Sequence, residues 1–241
     1  MKFNVNRWLN WEIDKPCPYC EIGLLMPTDN FLQTQTQESI EINSIGGGAP
    51  SYYIFSLHLI CSHCRDVVAV SGTITNHPES WEGEEIQPTI TPVFFYPPPK
   101  IISVPESCPE SVSKLLDVSF GLYWFDVSSC VNKIRIAIEV LLDELEVTKT
   151  KTSKNHQTKK ILLHERILEF KKISSEVGDL LTAIKWIGNA GSHYSEVTKE
   201  DVLDAYIILE HALDLIYTDK KDRILKITKE INENKKPRKQ K

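Results

Sequence analysis

The sequence predicts an α+β protein: a β-rich N-terminal domain, built as a zinc ribbon, followed by an antiparallel bundle of helices. Three observations carry that prediction. Two Cys-x-x-Cys pairs, Cys17/Cys20 and Cys61/Cys64, bracket strand-like material. Prolines crowd residues 88–109, with Pro97, Pro98 and Pro99 in succession. Beyond them, apolar residues recur at three- and four-residue spacing, the period of an amphipathic helix.

The 241 residues are 41% hydrophobic and 25% charged. These are ordinary proportions for a globular chain, and the length allows two modest domains, each with its own core. No run of about 18 apolar residues exists, so no membrane span is expected. The opening residues lack the continuous apolar stretch of a signal peptide, and the cytoplasm is the expected compartment.

Net charge is −5, unevenly placed. Residues 220–241 form a basic tail with a balance of +7, which leaves −12 for residues 1–219. A second cationic stretch holds Lys149, Lys151, Lys154, Lys159 and Lys160 with no acid between them. An acidic body with basic appendages does not suit a dedicated duplex-DNA binder. It leaves those five lysines available for local phosphate contacts, or simply as a solubilising loop.

The cysteine pairs are the strongest chemical signal. Each Cys-x-x-Cys turn aims two thiolates at one point, and two such turns complete a tetrahedron around zinc. Cys17, Cys20, Cys61 and Cys64 are therefore the expected ligands of a Zn²⁺ ion. Four protein ligands leave no open position, so the ion is structural rather than catalytic. Disulfides would need an oxidising compartment, and a redox pair would need only one such turn on a βαβ unit. His63, inside the second turn, is superfluous and expected to be exposed. Cys108 and Cys130 read as small buried residues.

Strands are expected at residues 24–26, 37–43, 51–60 and 67–75. The prolines that follow read as an extended connector, and the domain boundary falls near residue 105, giving domains 1–104 and 105–219. Helices are expected over residues 111–124, 127–146, 159–173, 177–187 and 199–217. Ile136, Val140 and Leu142 widen the apolar stripe of the second, so it should be buried on two sides. Arg135 and Glu139 fall one turn apart on its polar strip. Thr198-Lys-Glu-Asp201 reads as a capping box. Ile224, Ile227 and Ile231 extend the helical pattern thinly into the tail. Short links between such helices give an antiparallel bundle.

Between the last two main helices lies Trp186-Ile-Gly-Asn-Ala-Gly-Ser-His193. Gly188 suits the left-handed end of a helix and Asn189 tolerates the same backbone region. Residues 186–193 thus read as a turn displaying an amide and an imidazole. An ordinary helix connection, with the His held by a carbonyl, is the plainer reading.

Taken in order, the paired cysteine knuckles, the proline connector, Arg135-x-x-x-Glu139 and the Gly188-Asn189…His193 turn resemble the bacterial "domain of unknown function 4145" family, grouped with the HEPN helical superfamily. The resemblance covers roughly residues 15–218. It implies an HEPN-like bundle that forms homodimers, a setting in anti-phage defence with a partner protein, and contact with RNA or other nucleic acid. It also implies a candidate catalytic set. His193 stands at the motif histidine and Asn189 at a polar position between. The motif arginine is absent; Lys185 is the nearest basic residue upstream.

Two functions from different classes follow. One is a nucleic-acid-associated interaction or dimerisation module without catalysis. The other is a metal-independent endoribonuclease, in which His193 takes the 2′-hydroxyl proton and Lys185 steadies charge on the phosphate. A lysine offers a point charge where an arginine would grip two oxygens. Gly46-Gly-Gly48 lacks the Gly-Lys-Ser/Thr of a phosphate loop.

Overall fold

A computed structural model describes residues 16–46, 49–77, 88–152, 158–190, 197–218 and 220–235. It is a mixed α+β chain, with an antiparallel sheet N-terminally and helices C-terminally. Two compact units emerge: Met1–Lys100 with Phe120–Asp126, and Ile101–Ser119 with Val127–Lys241. The division thus falls after residue 100 rather than 104, and a short piece of the helical sequence belongs with the sheet.

The sheet is built on β3 (Ser51–Cys61) and β4 (Val67–Asn76), the two longest strands. β1 (Leu25–Pro27) and β2 (Leu32–Gln35) both pair with β3, and β5 (Thr89–Tyr96) pairs with β4. All pairings are antiparallel. Alternation fixes the buried face. Phe55, Leu57 and Leu59 of β3 meet Val68, Val70 and Ile74 of β4 and Phe95 of β5, while Ile54, Ser56 and His58 point the other way. Leu25, Phe31, Tyr53, Ile90 and Trp124 close over that core, with the Phe95 and Trp124 rings 4.5 Å apart.

Two expectations in this unit fail. Residues 37–43 are not a strand but part of helix α1 (Gln37–Ile45). Ile40 and Ile42 alternate as in a strand, yet both are exposed. What decides is Thr36, whose side chain accepts from the Ser39 N–H and caps the helix. Ser39 is buried and receives hydrogen bonds from the Tyr52 N–H and the Gln35 amide. The proline-rich stretch is likewise not all connector, because β5 runs through it. Pro92 is tolerated because β5 is the last strand in the order. It lies opposite Gly72 at a register shift, where a β-carbon on Gly72 would come within 2.2 Å of the Thr91 carbonyl oxygen.

The helical unit contains α2 (Glu110–Phe125), whose last residues count with the sheet, and α3 (Val127–Glu144). A two-stranded hairpin, β6 (Thr150–Thr152) with β7 (Thr158–Lys160), comes next. It is followed by α4 (Leu163–Lys171), α5 (Ser175–Ala190), α6 (Lys199–Tyr217) and α7 (Lys220–Asn234). Val131, Ile134, Ile138 and Leu141 of α3, Ile167 of α4, Leu181 and Ile184 of α5, and Val202, Tyr206 and Leu213 of α6 are all buried. Inside this core the Tyr206 hydroxyl donates to Ser119 Oγ at 2.8 Å and lies 3.2 Å from Cys130 Sγ. Both Cys130 and Cys108 are buried.

Four expectations shift here. α3 is wider than one stripe through Ala137 and Leu142, but Ile136 is exposed. The helix expected over 159–173 starts only at Leu163, because residues 158–160 pair as β7. Residues 220–234 are helical, as the stripe of Ile224, Ile227 and Ile231 suggests, but they form a separate helix rather than an extension of α6, which stops where Thr218 turns extended. Finally, α5 continues through Gly188 and Asn189 to Ala190, so neither ends the helix. No helix among the described residues is long and apolar enough to cross a membrane.

Candidate functional site

Four sulfurs converge at one end of the sheet. Cys61 ends β3, and its register partner Leu25 begins β1, the strand that follows the first cysteine pair. The Sγ atoms of Cys17, Cys20, Cys61 and Cys64 all lie within 4.8 Å of one another. Cys17–Cys64 and Cys20–Cys61 are 3.6 Å apart, and none of the four is in a disulfide. Zinc–sulfur bonds of about 2.3 Å in a tetrahedron set sulfurs about 3.8 Å apart, so the four positions are compatible with a zinc site.

The backbone shapes both turns alike. Glu21 and Arg65, each directly after a second cysteine, adopt positive φ of 56° and 68°. This folds the chain back so that amides face the sulfurs. The N–H of Tyr19 donates to Cys17 Sγ at 3.4 Å, and those of His63 and Cys64 to Cys61 Sγ at 3.3 and 3.4 Å. The two turns are tied by Ser62 N–H to the Leu24 carbonyl and by Leu24 N–H to Ser62 Oγ. Gly23 lies where they touch: a β-carbon there would fall 2.4 Å from Cys61 Sγ and 2.7 Å from His63 Cβ.

Electrostatically the four thiols act as a group. Backbone N–H groups of Gly23 and Ile22 hold Cys20 down at about 6. At Cys64 the hydrogen bond from the Asp66 backbone is outweighed by burial and by the neighbouring sulfurs, which push it up to about 12. Such crowding of developing negative charge is relieved by a cation. His63 is exposed and not among the ligating atoms.

The cationic stretch becomes the β6–β7 hairpin, and much of its charge is matched. Lys149 holds Asp143 at 2.6 Å, Lys151 holds Glu165 at 3.0 Å and Lys160 holds Glu139 at 3.1 Å. Lys159 is exposed, and Lys154 lies outside the described residues. Arg166 instead ties α4 to the end of α3 and the segment after it. Only 2% exposed, it binds the Asp143 carboxylate at 2.6 Å and the Glu139 and Val147 carbonyls at 3.1 and 3.0 Å.

The helical candidates divide. His193 lies outside the described residues. Lys185 is buried in α5, its ammonium 3.3 Å from the centre of the Trp186 ring, and Asn189 is half-buried one turn on. Arg135 and Glu139 do not form a pair among the described residues, since Glu139 is engaged by Lys160. Arg135 instead packs on Gly188, where a β-carbon would meet its Cδ at 2.6 Å. Gly188 is thus the close-approach point of α3 and α5, which is the physical reason for a glycine inside that helix. Sequence reading missed His164, whose ring lies 6.1 Å from that of Trp186, and Arg166. A lone basic residue on a helix carries no signal of its burial.

Comparison with family models gives two matches. Residues 120–238 match the one described as Domain of unknown function (DUF4145), which supports the resemblance drawn from the helical motifs. Residues 2–97 match Domain of unknown function (DUF8608). No curated protein and no solved structure matches the chain.

Proposed function

We propose that this chain is a zinc-ribbon, HEPN-like interaction module that associates with nucleic acid and dimerises through its helices, in the setting of bacterial anti-phage defence. The observation that carries the reading is the closed set of four sulfurs. Cys17, Cys20, Cys61 and Cys64 would fill the coordination shell of Zn²⁺, which would supply cross-linking of the two turns and no reactive position. The N-terminal unit is then a stapled binding platform. Nucleic-acid contact is supported by the exposed Lys159 and by the hairpin that carries Lys149, Lys151 and Lys160. Because three of these lysines share acids, they release few counterions. Binding to single-stranded RNA should therefore weaken with salt along a shallow slope, of about one to three phosphate contacts. A filter-binding titration across salt concentrations tests it; binding that is absent or indifferent to salt removes the reading.

A second reading is favoured by a separate observation. Neither Lys185 nor Arg135 has a carboxylate partner among the described residues. A metal-independent endoribonuclease would use such cations beside Asn189 and His193 across a dimer. It requires RNA cleavage that persists in chelator and disappears in His193→Ala. A monomeric protein in solution counts against it.

A further inference from the structure

A sheet that buries one face usually turns charged and polar side chains to water on the other. This one departs from that pattern. Among the described residues, no Asp, Glu, Lys or Arg stands at an outward position of any of its five strands, in a chain that is 25% charged. Register orders the face in rows. At the end nearest the cysteines, Met26, Ile60 and Val67 lie side by side. In the next row Ala69 stands between His58 and Tyr96. Further along, Leu32 adjoins Ser56, Ser56 adjoins Ser71, and Ser71 adjoins Phe94. Leu32 and Tyr96 are 70% and 69% exposed, and Ile54 and Phe94 are each 52% exposed.

Small residues thus run along the middle of the face, with Leu32 as one rim and Phe94 and Tyr96 as the other. A broad apolar surface with aromatic residues and no Lys, Asp or Glu has the composition of an interface core. Its chemistry narrows the occupant. Bases of a single strand could stack on Phe94 and Tyr96, but such platforms work beside cations that follow the backbone. Among the described residues, His58 is the only side chain on this face able to hold a positive charge. A charged partner would bring groups that nothing here answers. A second copy brings the same uncharged surface, and its Phe94 rim has a trough of serines and an alanine to enter. The area also suffices. β3 is 11 residues long, roughly 35 Å, and four strands abreast at about 4.8 Å span roughly 19 Å. Each copy then contributes roughly 650 Å² and the pair roughly 1,300 Å², within the range of specific interfaces.

We propose that two copies of this chain pack face to face through the outer surface of the N-terminal sheet, about a two-fold axis. Sheets packed in this way interdigitate the side chains of their facing surfaces. The contact is separate from dimerisation through the helices and does not rest on it. It does share strands with the four-sulfur cluster, since Cys61 ends β3 opposite the start of β1. A metal that ties the two cysteine turns therefore also fixes one end of the docking face.

The test measures the mass of the full chain by light scattering across the micromolar range. The wild type is expected to associate reversibly, its mass rising with concentration. Phe94→Lys and Ile54→Lys change exposed residues on different strands, and each places two like charges in the contact. Each should weaken association by about a hundredfold or more, with the far-ultraviolet spectrum unchanged. Ile207→Lys puts the same charge on an exposed apolar position of α6 and should leave the sheet contact intact. Association that is lost in Ile207→Lys and indifferent to both sheet variants belongs to the helices and overturns the proposal. Should the sheet variants fail to fold, carbene footprinting of the wild type decides. Phe94 and Tyr96 should be shielded at high concentration and labelled at low, and equal labelling at both overturns the contact. A wild type that stays monomeric throughout overturns it too, and leaves the face to another protein or to residues 1–15. An oligoribonucleotide that shields Phe94 in a monomeric chain does the same in favour of a stacking platform.

Discussion

Single atoms decide much of this chain, and its glycines show it. At Gly23 an added methyl would intrude on the Cys61 sulfur and the His63 backbone, 2.4 and 2.8 Å away. Neither can retreat without opening the cluster. Gly23→Ala is therefore expected to weaken zinc by about tenfold or more, an overpacking penalty of about 1–3 kcal/mol; competition with a chromogenic chelator measures it. Gly121 offers the contrast. It lies within α2, and a methyl there would meet only Pro98 at an ordinary 3.7 Å. Removing the glycine's backbone freedom should then stabilise the fold by about 0.5–1 kcal/mol, read from the urea midpoint. The sequence signals a cysteine tetrad because its chemistry depends on spacing. It does not signal which glycine is wedged against a neighbour, since that neighbour is distant in the chain.

At the level of elements, legibility follows the length of the repeating pattern. α3 and α6 carry apolar residues over four or more turns and were readable nearly to their ends, as was the capping box at Thr198 and Asp201. Thr198→Ala should cost about 1 kcal/mol in a thermal melt. The misreadings are short or ambiguous pieces. α1 alternates like a strand, β7 hides inside a helical stripe, and α5 carries a glycine that looked like a terminus but serves as a contact. The end of α3 and the segment after it are held by Arg166, which no periodicity reveals. Replacing Arg166 with Ala removes one of the two cations on Asp143 and leaves the Glu139 and Val147 carbonyls without this donor, and a loss of about 1–3 kcal/mol is expected in a urea titration. The same pair gives a pH dependence. Burial raises the Asp143 carboxyl, but Lys149 and Arg166 outweigh it and hold it below its ordinary value of 3.8. A depressed carboxylate contributes stability above its unfolded value and loses it as pH falls through the folded one. The wild type should thus lose stability below about pH 4, and Asp143→Asn should flatten that limb of the pH–stability curve.

For the molecule as a whole, the two units rest on different forces. The helical one holds a broad hydrocarbon core with a buried Ser119–Cys130–Tyr206 network. The sheet unit has a narrower core and adds the four-sulfur cluster, where metal binding is expected to contribute on the order of 10 kcal/mol of folding energy. Stripping the ion with a strong chelator at neutral pH should abolish the β contribution to the far-ultraviolet spectrum and leave the helical one. A single shared transition would mean that the ion does not hold the sheet in particular.

The path of α2 has a practical corollary. The helix starts with residues of one unit, and its last turn, from Phe120, counts with the other, where Trp124 lies over Phe95. Severing the polypeptide after Lys100 would strip the N-terminal fragment of an indole from its interior and leave the same indole stranded in water on the other fragment. Anyone wishing to express the halves separately must therefore graft that turn onto the sheet, because one scissor stroke cannot part them cleanly.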